Sequence, residues 1–107
     1  MTDKPKTGVY LIVEFNWPTN MTMNHAKKAR ALHDIVVAQK GWIREAVAAS
    51  NGVGAGPSSI WVLWLESYAS LDRLLKDSGD PVAQAYSAFF SEMVDVRSSV
   101  REEVAFL

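Results

Sequence analysis

Six consecutive residues, Ile60-Trp61-Val62-Leu63-Trp64-Leu65, are all apolar or aromatic. Side chains alternate between the two faces of a strand, so a strand that is apolar throughout has both faces buried. The helices of a 107-residue chain are enough to cover one face of a small sheet, which leaves the other to be covered from outside. The run therefore predicts a two-layer α+β protomer whose bare sheet face meets a second copy. Within the run, Trp61 shares a face with Leu63 and Leu65, and Trp64 with Val62 and Glu66. The first set is expected against the helices and the second at an interface or cavity.

Length and charge narrow the function classes. One domain spanning residues 1–107 is expected, with 1–7 as a flexible N-terminus. Eleven basic against twelve acidic residues leave no electrostatic footprint for nucleic acid or an anionic membrane. The absence of cysteine removes disulfides and thiolate metal sites and suits a reducing compartment. The polar start and the short apolar run that ends at Glu14 form neither a signal peptide nor a spanning helix, so the cytoplasm is the expected location.

Periodicity then orders the elements. From Val9 to Trp17, Val9, Leu11, Val13 and Phe15 share an apolar face, while Tyr10, Ile12, Glu14 and Asn16 share a mixed one. Pro18 ends that strand. A helix is expected over about 22–39, with Thr22 as N-cap, a stripe of Ala29, Leu32, Ile35 and Val36, and Gly41 as the stop. Trp42 to Ser50 fits either a strand or a helical extension; the glycine stop before it favours strand. Asn51 to Ser59 is then a long hairpin tip. Ser67 opens a helix that Gly79 interrupts and Asp80-Pro81 restarts, because an N-cap followed by proline at the first helical position is a strong start. Val82, Ala85, Tyr86, Phe89 and Met93 continue the apolar stripe. Val96 to Phe106 forms a last strand, with Arg97, Ser99 and Arg101 on its alternate face. The order β-α-β-β-α-β is that of a ferredoxin-like sandwich.

That order, the length, the doubly apolar third strand and the phrase Trp64-Leu65-Glu66-Ser67-Tyr68-Ala69-Ser70-Leu71-Asp72 together resemble the dimeric α+β barrel superfamily. The group takes in antibiotic-biosynthesis monooxygenase-like, NIPSNAP-like and EthD-like proteins and muconolactone isomerases. The resemblance implies a homodimer built sheet against sheet, with a cavity for a small aromatic or hydrophobic ligand between sheet and helices or at the barrel mouth. It implies no activity by itself. The heme-degrading branch carries an asparagine in the first strand, matched by Asn16, and a tryptophan and a histidine in the second helix. Here those stretches read Arg73-Leu74 and Ala83-Gln84-Ala85-Tyr86, which disfavours heme degradation.

Few side chains offer chemistry. His25 and His33 are eight positions apart, about 80° around a helix, too far apart to share a metal. No metal site or bound cofactor is expected. His33 borders the apolar stripe and has two readings, a surface residue or a general base turned into a pocket. Glu14 also has two, an acid–base group in a cavity or a partner for Arg44, Arg97 or Arg101 across the sheet. Asn16 shares its face and could hold a substrate oxygen. Tyr10, Trp64 and Tyr86 are the candidate ligand contacts. The cluster Gly52-Val53-Gly54-Ala55-Gly56 lacks dinucleotide-loop spacing and leads into a strand, so it reads as a flexible loop. The expected function is small-molecule processing: a cofactor-independent monooxygenase, isomerase or cyclase acting on an aromatic or polyketide-like substrate, with Glu14, Asn16 and His33 catalytic. The alternative is a non-catalytic dimeric ligand-binding or accessory protein.

Overall fold

The computed structural model describes residues 8–39, 41–50 and 52–104. Four strands, β1 (Val9–Asn16), β2 (Ile43–Ser50), β3 (Ser59–Leu65) and β4 (Val94–Glu102), form one sheet in the order β2-β3-β1-β4, and every neighbouring pair is antiparallel. Three helices, α1 (Met23–Ala38), α2 (Tyr68–Lys76) and α3 (Pro81–Phe90), complete the ferredoxin-like α+β arrangement. The strand reading of the segment after Gly41 holds. The interrupted helix after Ser67 is two separate helices, because Asp80 caps a new one: its carboxylate accepts the N–H groups of Val82 at 2.8 Å and Ala83 at 3.3 Å. The last strand ends at Glu102, short of the expected end at Phe106, and the part expected at 105–106, like the expected flexible start at 1–7, lies outside the described residues.

The alternation in β1 and β3 sorts their side chains as the sequence demands. Val9, Leu11, Val13 and Phe15 are buried toward the helices, as are Trp61, Leu63 and Leu65. From the helix layer Leu32, Val36, Leu74, Val82, Tyr86, Phe89 and Phe90 close the core. Its centre is aromatic: Phe89 meets Phe15 edge-on at 5.6 Å between ring centroids and Trp17 at 5.4 Å, with Trp61 tilted at 5.8 Å. Burying one such ring contributes about 2–3 kcal/mol, against at most about 1 kcal/mol for an exposed ion pair such as Lys28–Glu92. Aromatic burial therefore holds the layers together.

Local chemistry fixes the helix ends. His25 is a structural residue: its Nδ1 accepts the Thr22 N–H at 2.8 Å, taking the part that Glu or Gln usually plays in a capping box. Gln39 Nε2 donates to the carbonyls of Val36 and Ile43 at 3.0 and 2.8 Å, and Gly41, at φ +112°, turns the chain into β2. Arg73 of α2 bonds Asp80 at 2.6 Å and lies 4.3 Å from the Trp42 ring centroid, tying α2 to α3 and to the start of β2. The molecule's shortest extent is 20 Å, the thickness of one sheet and one helix layer. The sheet face turned away from the helices has no covering from these elements. Among the described residues, no helix is long and apolar enough to cross a membrane.

Candidate functional site on the outer sheet face

Strand register arranges the outer face in rows that run across the four strands. One row holds Glu45, Trp64, Tyr10 and Arg101, with Arg44 beside Trp64 at the irregularity in β2; the next holds Val47, Val62, Ile12 and Ser99; the third holds Ala49, Ile60, Glu14 and Arg97. An aromatic row thus borders an apolar one, and a carboxylate and a guanidinium stand directly opposite each other beyond it. In β3, Ile60, Val62 and Trp64 are half-buried, although none of the described helices lies over this face.

The first row is stacked. Tyr10 and Trp64 lie almost parallel, 6.0 Å between centroids and 9° between planes. Arg44, displaced by an irregularity in β2 between Ile43 and Glu45, brings its guanidinium 5.0 Å from the Trp64 ring. Gly8 makes this possible. A Cβ there would sit 1.7 Å from Trp64 Nε1, so only glycine lets the indole lie flat over the start of β1. The Tyr10 hydroxyl donates to Glu103 at 3.2 Å; partial burial and that carboxylate raise its pKa, keeping the phenol neutral. Tyr68 similarly donates to Glu102, whose carboxylate raises the Tyr68 pKa, and the two phenols hold the end of β4.

At the other end of the face, a cavity of about 440 Å³ is lined by Glu14, Asn16, Gly56, Pro57, Asp95 and Arg97. Two features shape it. The β1–β4 register shifts between Glu14 and Asn16, and there Asp95 adopts φ +53°, the one positive φ at a non-glycine residue among those described. A bulge of this kind re-aims side chains, and here it turns Asp95 toward Asn16. Asn16 Nδ2 donates to Asp95 Oδ2 at 3.3 Å, and Asn16 Oδ1 accepts the Ser58 N–H at 2.8 Å. The Asn16 amide is thereby oriented, with one N–H left over. Glu14 and Arg97 face each other across the ladder, yet no ion pair within 4.0 Å joins them among the described residues.

The six residues singled out from sequence divide four to two. Tyr10, Glu14, Asn16 and Trp64 share the outer face. His33 does not join them. It lies exposed on α1, its Nδ1 3.3 Å from Asp34, and the sheet itself separates it from the outer face. Tyr86 is buried on the helix side, where burial pushes its phenol up to about 12 against a hydrogen bond with Ser98 that lowers it. It borders a different cavity, of about 590 Å³, between α2 and α3. The space between sheet and helices, where the barrel resemblance allows a pocket, is filled by the aromatic core. Gly8 and Asp95 are not among the residues singled out from sequence, where Arg97 stands only as a possible partner of Glu14. Arg97 had a sequence signal in the alternation of β4; Gly8 and Asp95 had none.

No protein-family profile matches the chain, and no curated protein matches it in sequence. Solved structures do resemble it. A hydroxynitrile lyase from Passiflora edulis superposes with a TM-score of 0.75 at 12% identity, over 96% of this chain and 99% of that one. A dimeric ferredoxin-like protein of unknown function from Thermobifida fusca gives 0.64 at 15% identity, over 92% of each chain. A candidate antibiotic biosynthesis monooxygenase from Deinococcus radiodurans gives 0.61 at 14%, over 92% of this chain and 95% of the other. At such identities the likeness is one of fold. The structural neighbours are ferredoxin-like proteins of the dimeric α+β barrel type, and this chain has the ferredoxin-like α+β fold.

Proposed function

We propose that the protein works as a homodimer in which two outer sheet faces meet, and that it binds a small, flat aromatic or apolar molecule there and acts on it by acid–base chemistry without a bound coenzyme. The observation that carries this reading is the pairing on one open face of a stacked Tyr10–Trp64 floor with a carboxylate and a guanidinium two rows away. The likeness to a hydroxynitrile lyase and a candidate monooxygenase supports small-molecule chemistry on this fold. The absence of cysteine suits work in the reducing cytoplasm.

The isomerase, cyclase and oxygenase readings share a first step, removal of a proton from an activated C–H or O–H bond. Glu14 is the base in this account. Arg97 and the free Asn16 N–H stabilise the anion that results, and a second copy over the face keeps water away and strengthens each of these contacts. An isomerase then returns the proton at another carbon; in an oxygenase, the substrate anion itself reduces oxygen.

A second reading, a dimer that binds its ligand without transforming it, is favoured by the separation of His33 and Tyr86 from Glu14. A screen of phenols, quinols and β-dicarbonyl compounds divides the two, with calorimetry to detect binding and mass spectrometry to detect products. Turnover supports the enzyme, binding with no product supports the carrier, and failure of every compound to bind contradicts both.

A further inference from the structure

The hairpin between β2 and β3 forms one wall of the Glu14–Arg97 cavity through Gly56 and Pro57, and its remaining residues touch very little. Apart from the adjoining residues of the chain, no heavy atom lies within 4 Å of where a Cβ would stand at Gly52, Gly54 or Gly56, and Val53 is fully exposed at 102%. Gly54 and Gly56 have φ +97° and +151°, positions at which glycine turns freely. Immediately afterwards the chain is fixed. The Ser58 N–H donates to Asn16 at 2.8 Å, Ser58 Oγ accepts the Trp17 N–H at 3.3 Å, and Ser59 Oγ accepts Trp17 Nε1 at 2.9 Å. A contact-free arm therefore joins a rigid anchor at the rim of the cavity. From 52 to 57 the arm reads Gly-Val-Gly-Ala-Gly-Pro and carries no polar side chain, so the surface it can lay on a ligand is apolar.

We propose that residues 52–57 are a flap that closes over the cavity when a ligand occupies the outer face, with Val53 as the side chain that meets the ligand. The flap rests on the binding reading above and adds to it a specificity element. Closure swings the arm about Gly54 and Gly56, with Pro57 as a stiff base because its ring fixes φ. It removes Val53 from water and selects for ligands whose end nearest Glu14 presents an apolar edge.

The test uses the full chain, 1-naphthol as a flat phenolic probe, and Val53→Ser, a change at a position with no packing to lose. Calorimetry measures affinity, and amide hydrogen exchange follows residues 52–56. Saturating 1-naphthol is expected to slow exchange in 52–56 at least about tenfold, and Val53→Ser to weaken binding about fivefold, with an unchanged melting temperature. Equal affinity of both proteins, with exchange in the loop unaltered at saturation, overturns the flap and leaves the binding reading standing. No binding of 1-naphthol to the unaltered protein overturns the flap and counts against the binding reading as well.

Discussion

Glu14→Gln is expected to cut the turnover of any substrate found in the screen by about 10²–10⁴-fold while leaving its dissociation constant within about threefold. The amide keeps the size of the carboxylate and its place opposite Arg97, so the floor of Tyr10 and Trp64 and the guanidinium still receive the ligand. What it cannot do is accept a proton. A loss confined to kcat therefore reads the base directly, whereas equal losses in kcat and affinity would mean that Glu14 mainly holds the ligand. The competing role, a cross-strand partner for Arg97, predicts a third pattern: a lower melting temperature with little change in kcat. The open distance between Glu14 and Arg97 argues against that role in the isolated chain.

The second large effect concerns stability. Asp80→Ala is expected to cost about 3 kcal/mol, lowering the melting temperature by roughly 10–20 °C in calorimetry. The carboxylate is buried, with a side-chain exposure of 5%; it caps α3 through two N–H groups and bonds Arg73 at 2.6 Å. Removing it leaves those donors unmet and frees the link between α2 and α3 where Leu74 and Val82 enter the core. Asp80→Asn keeps a competent cap and should cost only about 1 kcal/mol. The two variants also differ from the parent in acid. Burial alone would raise the Asp80 pKa, but Arg73 and the N–H groups of Val82 and Ala83 outweigh it, and the net value lies below the ordinary 3.8. A depressed folded-state pKa gives stability that is complete above the unfolded value and lost as pH falls through the folded one. The parent should therefore lose this contribution below about pH 4, and both variants should show a shallower decline over that range.

The fold was legible because its two strongest features are local. Alternation in Val9–Asn16 and in Ser59–Leu65 needs no partner to be read, and it assigned Trp61 to the core and Trp64 to the open face, where both are found. Asp80-Pro81 announced a helix start in two residues. The candidate site was legible only where it depended on that same alternation, through Tyr10, Glu14, Asn16 and Trp64. Its other parts depend on pairing between distant segments. The bulge that turns Asp95 toward Asn16 is a register shift between strands 79 residues apart, invisible in either strand alone. Gly8 is required only because Trp64 lies over it, a contact that exists once Tyr10 and Trp64 are opposite each other. Helical periodicity grouped Tyr86 with Val82 and Phe89, and that stripe is what buries it. His33 borders its stripe on the side that turned out to face water.

Everything proposed for the site depends on a second copy covering the outer sheet face. Sedimentation equilibrium of the full chain at micromolar concentration measures that directly, with Val62→Asp as the companion because it puts a charge in the apolar middle row. Twice the chain mass is expected for the unaltered protein and a shift to monomer for Val62→Asp, with α+β circular dichroism retained. A stable monomer, or a dimer that Val62→Asp leaves intact, would contradict that covering.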